Sequence, residues 1–265
     1  MQSNAELPGR IIAIANQKGG VGKTTTAINL ATALAAVKKK VLLIDLDPQG
    51  NATTGLGVAR SARRVTSYNL IREEATVEQV AVATEVPGLF LIPAVVDLTG
   101  AELELVQEID RSHRLRNAIH ASAVPYDYVL IDCPPSLGLL TLNALVAAQS
   151  VLVPLQCEFF ALEGLSQLMR TVERVKKSLN PTLRMEGILL TMFDRRNNLS
   201  NQVEEDVRQH LGTMVYDTVI PRNVRVSEAP SHGKPVLLYD LKSSGAQAYV
   251  TLVREILRRE RGLAA

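Results

Sequence analysis

The chain has 265 residues, 46% hydrophobic and 21% charged, with a formal net charge of +2. That balance suits a folded protein with a substantial core, and a charge of +2 is too small to mark a nucleic-acid binder unless basic residues gather in a local patch. Tryptophan is absent and aromatics make up 4%, which argues against a single-strand binder built on stacking platforms. No Pro/Gly/Ser-rich linker divides the chain, so one domain over 1–265 is expected, with residues 1–9 as a flexible tail.

No apolar run approaches membrane-spanning length, and the polar start "MQSNAELPGR" lacks a signal peptide's hydrophobic region, which predicts a cytoplasmic protein. Cys133 and Cys157 form no C-x-x-C and read as packing residues or bystanders. His113, His120, His210 and His232 show no metal-ligand spacing.

In chain order, short aliphatic runs alternate with helical patterns. Strands are predicted at 10–15 (RIIAIA), 41–45 (VLLID), 89–94 (LFLIPA), 128–132 (YVLID), 150–155 (SVLVPL), 187–192 (GILLTM) and 215–220 (VYDTVI). Helical spacing of Ile28, Ala31, Leu34 and Ala35 predicts a helix over 24–37, and that of Leu165, Leu168, Met169, Val172 and Val175 another over 162–179. This alternation implies βαβ units: an α/β fold with one doubly wound, mostly parallel sheet and helices on both faces. Most strands are apolar almost throughout, as expected of strands covered on both sides.

The first strand runs into "QKGGVGKTTT", which departs from G-x-x-x-x-G-K-[ST] by placing Gln17 where the first glycine belongs and adding a second lysine, Lys18. A strand, a glycine-rich loop and a helix opening near Lys23 are the context of a phosphate site. Backbone amides of Gly19, Gly20, Val21, Gly22, Lys23 and Thr24, with Thr25 next along the helix, would curl around the phosphates. Lys23 would bridge the β- and γ-phosphates of ATP, and the Thr24 hydroxyl would bind Mg²⁺. Asp132 closes its strand at the position of a metal-holding Walker B aspartate, and Asp45 and Asp47 in "LLIDLDPQGN" are candidates for metal and water positioning.

These motifs resemble the ParA/MinD class of P-loop ATPases, and within it the partition ATPases of the ParA/Soj type. "KGGVGKTT" is similar to the class's deviant Walker A, "LLIDLDPQGN" to its second motif and "VLIDCPPS" to its Walker B; "VPLQCEFFALEG", "LLTMFD" and "IPRNVRVSEAPSHGKP" resemble the ParA/Soj branch. The resemblance implies an ATP- and Mg²⁺-dependent homodimer, slow to hydrolyse ATP alone, that binds double-stranded DNA non-specifically on the nucleoid and is stimulated by a ParB-type centromere-binding partner. It casts Lys18 as the lysine that reaches the nucleotide of the partner copy, Asp47 as the water-positioning carboxylate, and Asp45 as either a metal-side partner or a support for the groups around the metal. Pro221 and Asn223 fall in the adenine-contacting region, and Glu158 at the dimer-facing side of the nucleotide site. DNA contacts map onto Arg196 and Arg225, with Arg195 and Arg222 beside them, although the basic residues from Met192 to Pro235 are matched one for one by acidic ones.

A MinD-like membrane-surface ATPase is the alternative, resting on a basic C-terminal helix in which Val250, Val253, Ile256 and Leu257 share a face; packing of that helix on the sheet is the expected outcome. Cys133 directly follows Asp132, which sets the chain apart from cluster-carrying relatives such as the nitrogenase iron protein. The short stretch before the first strand resembles the form without an N-terminal operator-binding domain.

Overall fold

Each central strand feeds two cores at once, because its residues are apolar on both faces. Ile11 and Ala13 of the first strand are buried in one cluster, Ile12 and Ile14 in the other. The computed structural model describes residues 9–158 and 161–262, so the expected N-terminal tail, apart from Gly9, lies outside the described residues.

Seven strands form the sheet: β1 (Arg10–Ile14), β2 (Val41–Asp45), β3 (Val82–Ala83), β4 (Leu89–Ile92), β5 (Tyr128–Asp132), β6 (Ser150–Gln156) and β7 (Arg184–Thr191). Among the described residues, helices α1 (Lys23–Ala36), α2 (Asn51–Gly55), α3 (Ser67–Ile71), α4 (Val77–Val80), α5 (Leu98–Glu104), α6 (Arg114–His120) and α7 (Leu139–Ala147) come before β6. Helices α8 (Ala161–Ser178), α9 (Asn198–Leu211), α10 (Val224–Glu228), α11 (Val236–Tyr239) and α12 (Ser244–Glu260) follow it. The order across the sheet is β3-β4-β2-β5-β1-β6-β7, parallel except for the β3–β4 pair. After β1 the chain builds β2 to β4 on one side, inserts β5 next to β1, and only then extends to the other side. β1 therefore sits at the switch in winding direction, and a crevice opens at its carboxyl end, where open α/β sheets place ligands.

The doubly wound parallel architecture agrees with the sequence reading, but one expected strand does not form. Residues 215–220 run beside β7, joined to it by an isolated bridge of Ile188 with Val215 and by the Tyr216 and Ile220 amides, and a second isolated bridge pairs Phe193 with Pro221 just beyond both segments. The amides of Asp217 and Thr218 instead donate to the buried Glu255 carboxylate of α12, both at 2.9 Å, so they cannot join a ladder. β3 is the strand the sequence did not show. The C-terminal pattern folds as α12, with Tyr249, Leu252, Val253 and Ile256 buried in the same core as α1, and Val250 and Leu257 partly buried against it. Both cysteines are buried; burial pushes the Cys157 thiol up to about 12.

Candidate nucleotide site

The loop between β1 and α1 takes its shape from two glycines, Gly20 at φ 75° and Gly22 at φ 85°, values that L side chains rarely adopt. No side chain caps α1, so its first amides stay free for an anion. Flanking contacts hold the loop from outside. Asn16, at the end of the first strand's run, donates to the Pro154 carbonyl at 2.8 Å and accepts from the Lys18 amide at 3.0 Å, while the Thr191 hydroxyl donates to the Val21 carbonyl at 2.8 Å. Val21 points its side chain into the core and offers the site only backbone.

The loop borders a cleft of about 490 Å³. Of the expected residues, Gly19, Gly20, Gly22, Lys23, Thr24, Thr25, Asp47, Pro221 and Asn223 line it, and Arg222 joins them. Gln49, Asn51, Met192 and Tyr249 also line it and were not singled out in the sequence. Met192 sits in left-handed backbone at φ 49° against the Gly22 turn, a conformation that composition does not reveal.

The two lysines of the motif separate. Lys23 is 7% exposed and donates to the Lys18 carbonyl at 2.9 Å; burial pushes its ammonium pKa down, with Asp132 the first group opposing that shift. Lys18 extends outward to an exposed ion pair with Glu158, and neither side chain lines the cleft.

The three aspartates also differ. Asp45 and Asp132 face each other in register at the ends of β2 and β5, both fully buried. Asp132 has no hydrogen-bond partner on either oxygen. Burial, and next the charge of Asp45, hold its pKa well above the usual carboxylate range; the Thr24 hydroxyl counters this in part. Asp45, expected at the metal side or in support of it, accepts hydrogen bonds on both oxygens. Oδ1 accepts from the Asp47 amide at 3.1 Å, and Oδ2 from the Thr53 amide and hydroxyl at 2.8 and 2.6 Å. Burial pushes its pKa up to about 6 against these hydrogen bonds. Asp47 is 8% exposed; its Oδ1 accepts from the Gln49 amide at 3.0 Å.

An orphaned carboxylate beside a threonine hydroxyl and a phosphate-binding loop fits Mg²⁺, which takes few protein ligands and completes its shell with phosphates and water. Among the described residues no cluster of three or more His, Cys, Asp or Glu could hold a metal by itself.

Of the four arginines, only Arg222 lines the cleft. Arg195, Arg196 and Arg222 line a second groove of about 770 Å³ that shares Pro221, Arg222 and Asn223 with the first. Arg196 is 90% exposed and forms a two-pronged pair with Asp194 at 2.8 and 2.9 Å, which holds the Asp194 carboxyl down at about 2. Arg225, outside that groove, pairs with Glu228 at 3.0 Å and Asp240 at 3.5 Å.

Sheet order, loop and aspartates together define a P-loop nucleotide-binding protein of the doubly wound α/β class. A family model described as an AAA domain matches residues 9–185. The chain is 66% identical over 256 residues to chromosome partitioning protein ParA of Caulobacter vibrioides, covering 96% of each. It is 56% identical over 248 residues to sporulation initiation inhibitor protein Soj of Bacillus subtilis, covering 94% of this chain and 98% of that one. The chain belongs to the ParA/Soj family. Among solved structures it is similar to cobyrinic acid a,c-diamide synthase from Mycobacterium smegmatis with bound ADP and magnesium, at TM-score 0.84 and 38% identity over 96% of each chain.

Proposed function

We propose that this chain is an ATP-hydrolysing partition protein. It closes on ATP as a sandwich dimer of two copies, holds double-stranded DNA without sequence preference in that state, and releases it when a ParB-type partner stimulates hydrolysis. The observation that carries this reading is the division of the two lysines: Lys23 turned into the cleft, Lys18 turned away from it on the exposed rim. One phosphate site needs only the first. A second cation aimed outward suits a nucleotide held by another copy, where it would neutralise charge developing on the transferred phosphoryl.

Within each copy the loop amides and Lys23 would hold the β- and γ-phosphates, and Pro221 and Asn223 would flank the base. Thr24 and Asp132 would hold Mg²⁺, which when bound supplies charge neutralisation on the phosphates. Asp47 keeps one oxygen on the Gln49 amide and would use the other to orient the attacking water. Arg195, Arg196, Arg222 and Arg225 would meet DNA phosphates. Each copy presents a weak cluster, since Arg196 and Arg225 are already paired with carboxylates. Two clusters joined in a dimer act at high effective concentration and make binding depend on ATP. Burial of the apolar face of α12 favours this reading over a membrane-surface role.

The test is retention on DNA with ATP, with ADP as the control, for the parent and for Lys18→Ala. The parent should be retained only with ATP. Lys18→Ala should bind ATP with near-parental affinity yet elute as a monomer and pass through the DNA column. Equal retention in ADP rejects the ATP gate, and a normal Lys18→Ala dimer rejects the role of that lysine.

A further inference from the structure

Thr53 has no place in the motifs, yet it is fully buried and its hydroxyl is committed at both ends. The Ala94 amide, just past β4, donates to Thr53 Oγ1 at 2.9 Å. Because that amide can only donate, the single hydroxyl hydrogen must point the other way, to Asp45 Oδ2 at 2.6 Å. The Thr53 amide reaches the same oxygen at 2.8 Å, and Asp45 Oδ1 receives the Asp47 amide at 3.1 Å. Hydrogen bonds thus link the β4 loop through α2 to the backbone of Asp47, converging on the Asp45 carboxylate, which accepts from both sides. Residues 46–50 are fixed at one end by this chain and at the other by the Gly50 turn at φ 64°, whose amide donates to the Asp47 carbonyl at 2.8 Å.

We infer that Thr53, acting through Asp45, is a positioning residue for ATP hydrolysis: its hydroxyl fixes the backbone that aims the Asp47 carboxylate into the cleft. The inference rests on the proposed role of Asp47. It also gives Asp45 a task that its hydrogen-bonded oxygens can perform as they stand. Buried hydrogen-bond chains of this kind hold geometry because every member is satisfied, and misplacing a catalytic group by about 1 Å costs on the order of 100-fold in rate.

Thr53→Val keeps the shape and removes the hydroxyl; Thr53→Ser restores it. With Thr53→Val, kcat for ATP should fall on the order of 10- to 100-fold while KM and directly measured ATP affinity stay near parental, and Thr53→Ser should recover most of the rate. Asp45→Asn breaks the same chain from its other end without changing size, so it carries the comparison if Thr53→Val does not fold; it should lower kcat similarly with an unchanged magnesium dependence. A parental kcat in Thr53→Val overturns the inference. So does a fall in ATP affinity that matches the fall in rate and is not rescued by serine, which marks a merely structural residue, or a shifted magnesium requirement in Asp45→Asn, which returns that carboxylate to the metal. Asp47→Ala is measured alongside: if it hydrolyses ATP at the parental rate, the role of Asp47 fails; if it is inactive while Thr53→Val is normal, only the role of Thr53 fails.

Discussion

A buried carboxylate without a close hydrogen-bond donor weakens the nucleotide-free protein, and Asp132, which the Thr24 hydroxyl offsets only in part, is such a group. Its pKa is raised in the folded state, by burial first and then by Asp45. The folded form therefore holds the proton more tightly than the unfolded chain, and stability falls as pH rises from the unfolded carboxylate value of about 3.9 toward the folded one. Asp132→Ala should accordingly stabilise the nucleotide-free protein at neutral pH by about 1–3 kcal/mol, a rise in Tm of roughly 2–4 °C per kcal/mol. The pH-dependent part of the advantage should vanish below about pH 3.9, where both states are protonated, and ATP hydrolysis should be lost. Calorimetry without nucleotide across that range checks this; a less stable variant at neutral pH shows that Asp132 is answered by protein groups after all. Asp132 was legible in the sequence because a strand-end aspartate after "YVLI" is a local signal. Thr53 was not, since its partners Asp45 and Ala94 stand eight and 41 residues away in the chain and only the folded sheet brings them together.

Locality also separates the elements that the sequence placed from those it did not. The helices expected at 24–37 and 162–179 form at Lys23–Ala36 and Ala161–Ser178, because their apolar faces repeat within the segment itself. β3 has two residues, too few to show any period. The segment 215–220 carries a strand's composition, but two of its amides are claimed by Glu255, 37 and 38 residues further on. That carboxylate also takes the Arg259 guanidinium at 2.7 Å. Glu255→Ala should orphan both amides, remove the ion pair with Arg259 and lower stability by about 2–5 kcal/mol, read as an earlier urea midpoint, with the ATP affinity of the remaining folded protein little changed. An unshifted midpoint removes Glu255 from its place as the anchor of this segment.

Across the whole molecule, the candidate nucleotide cleft and the arginine groove share one wall, Pro221 to Asn223, so that wall has the candidate nucleotide site on one side and the candidate DNA surface on the other. Phosphate contacts carry little sequence preference and strong salt dependence. Arg196→Ala with Arg225→Ala should therefore weaken DNA binding on every sequence and flatten the salt slope by roughly 0.9 for each phosphate no longer neutralised, while ATP-dependent dimerisation is unchanged. Affinity across a salt series beside size-exclusion chromatography decides it, and unchanged DNA affinity in the double variant removes these arginines from the interface. The segment beside β7 bears on how copies of the chain could associate. Tyr216 and Ile220 donate to the Ile188 and Leu190 carbonyls at 2.9 Å each, occupying acceptors along the outer side of the last strand, and the opposite border of the sheet is the two-residue antiparallel β3. An exposed strand border is a template on which a second chain can continue the sheet, and a covered or very short one is not. Growth into a filament by sheet extension is thereby disfavoured at both borders, so the dimer proposed above would have to join through a surface other than the sheet borders.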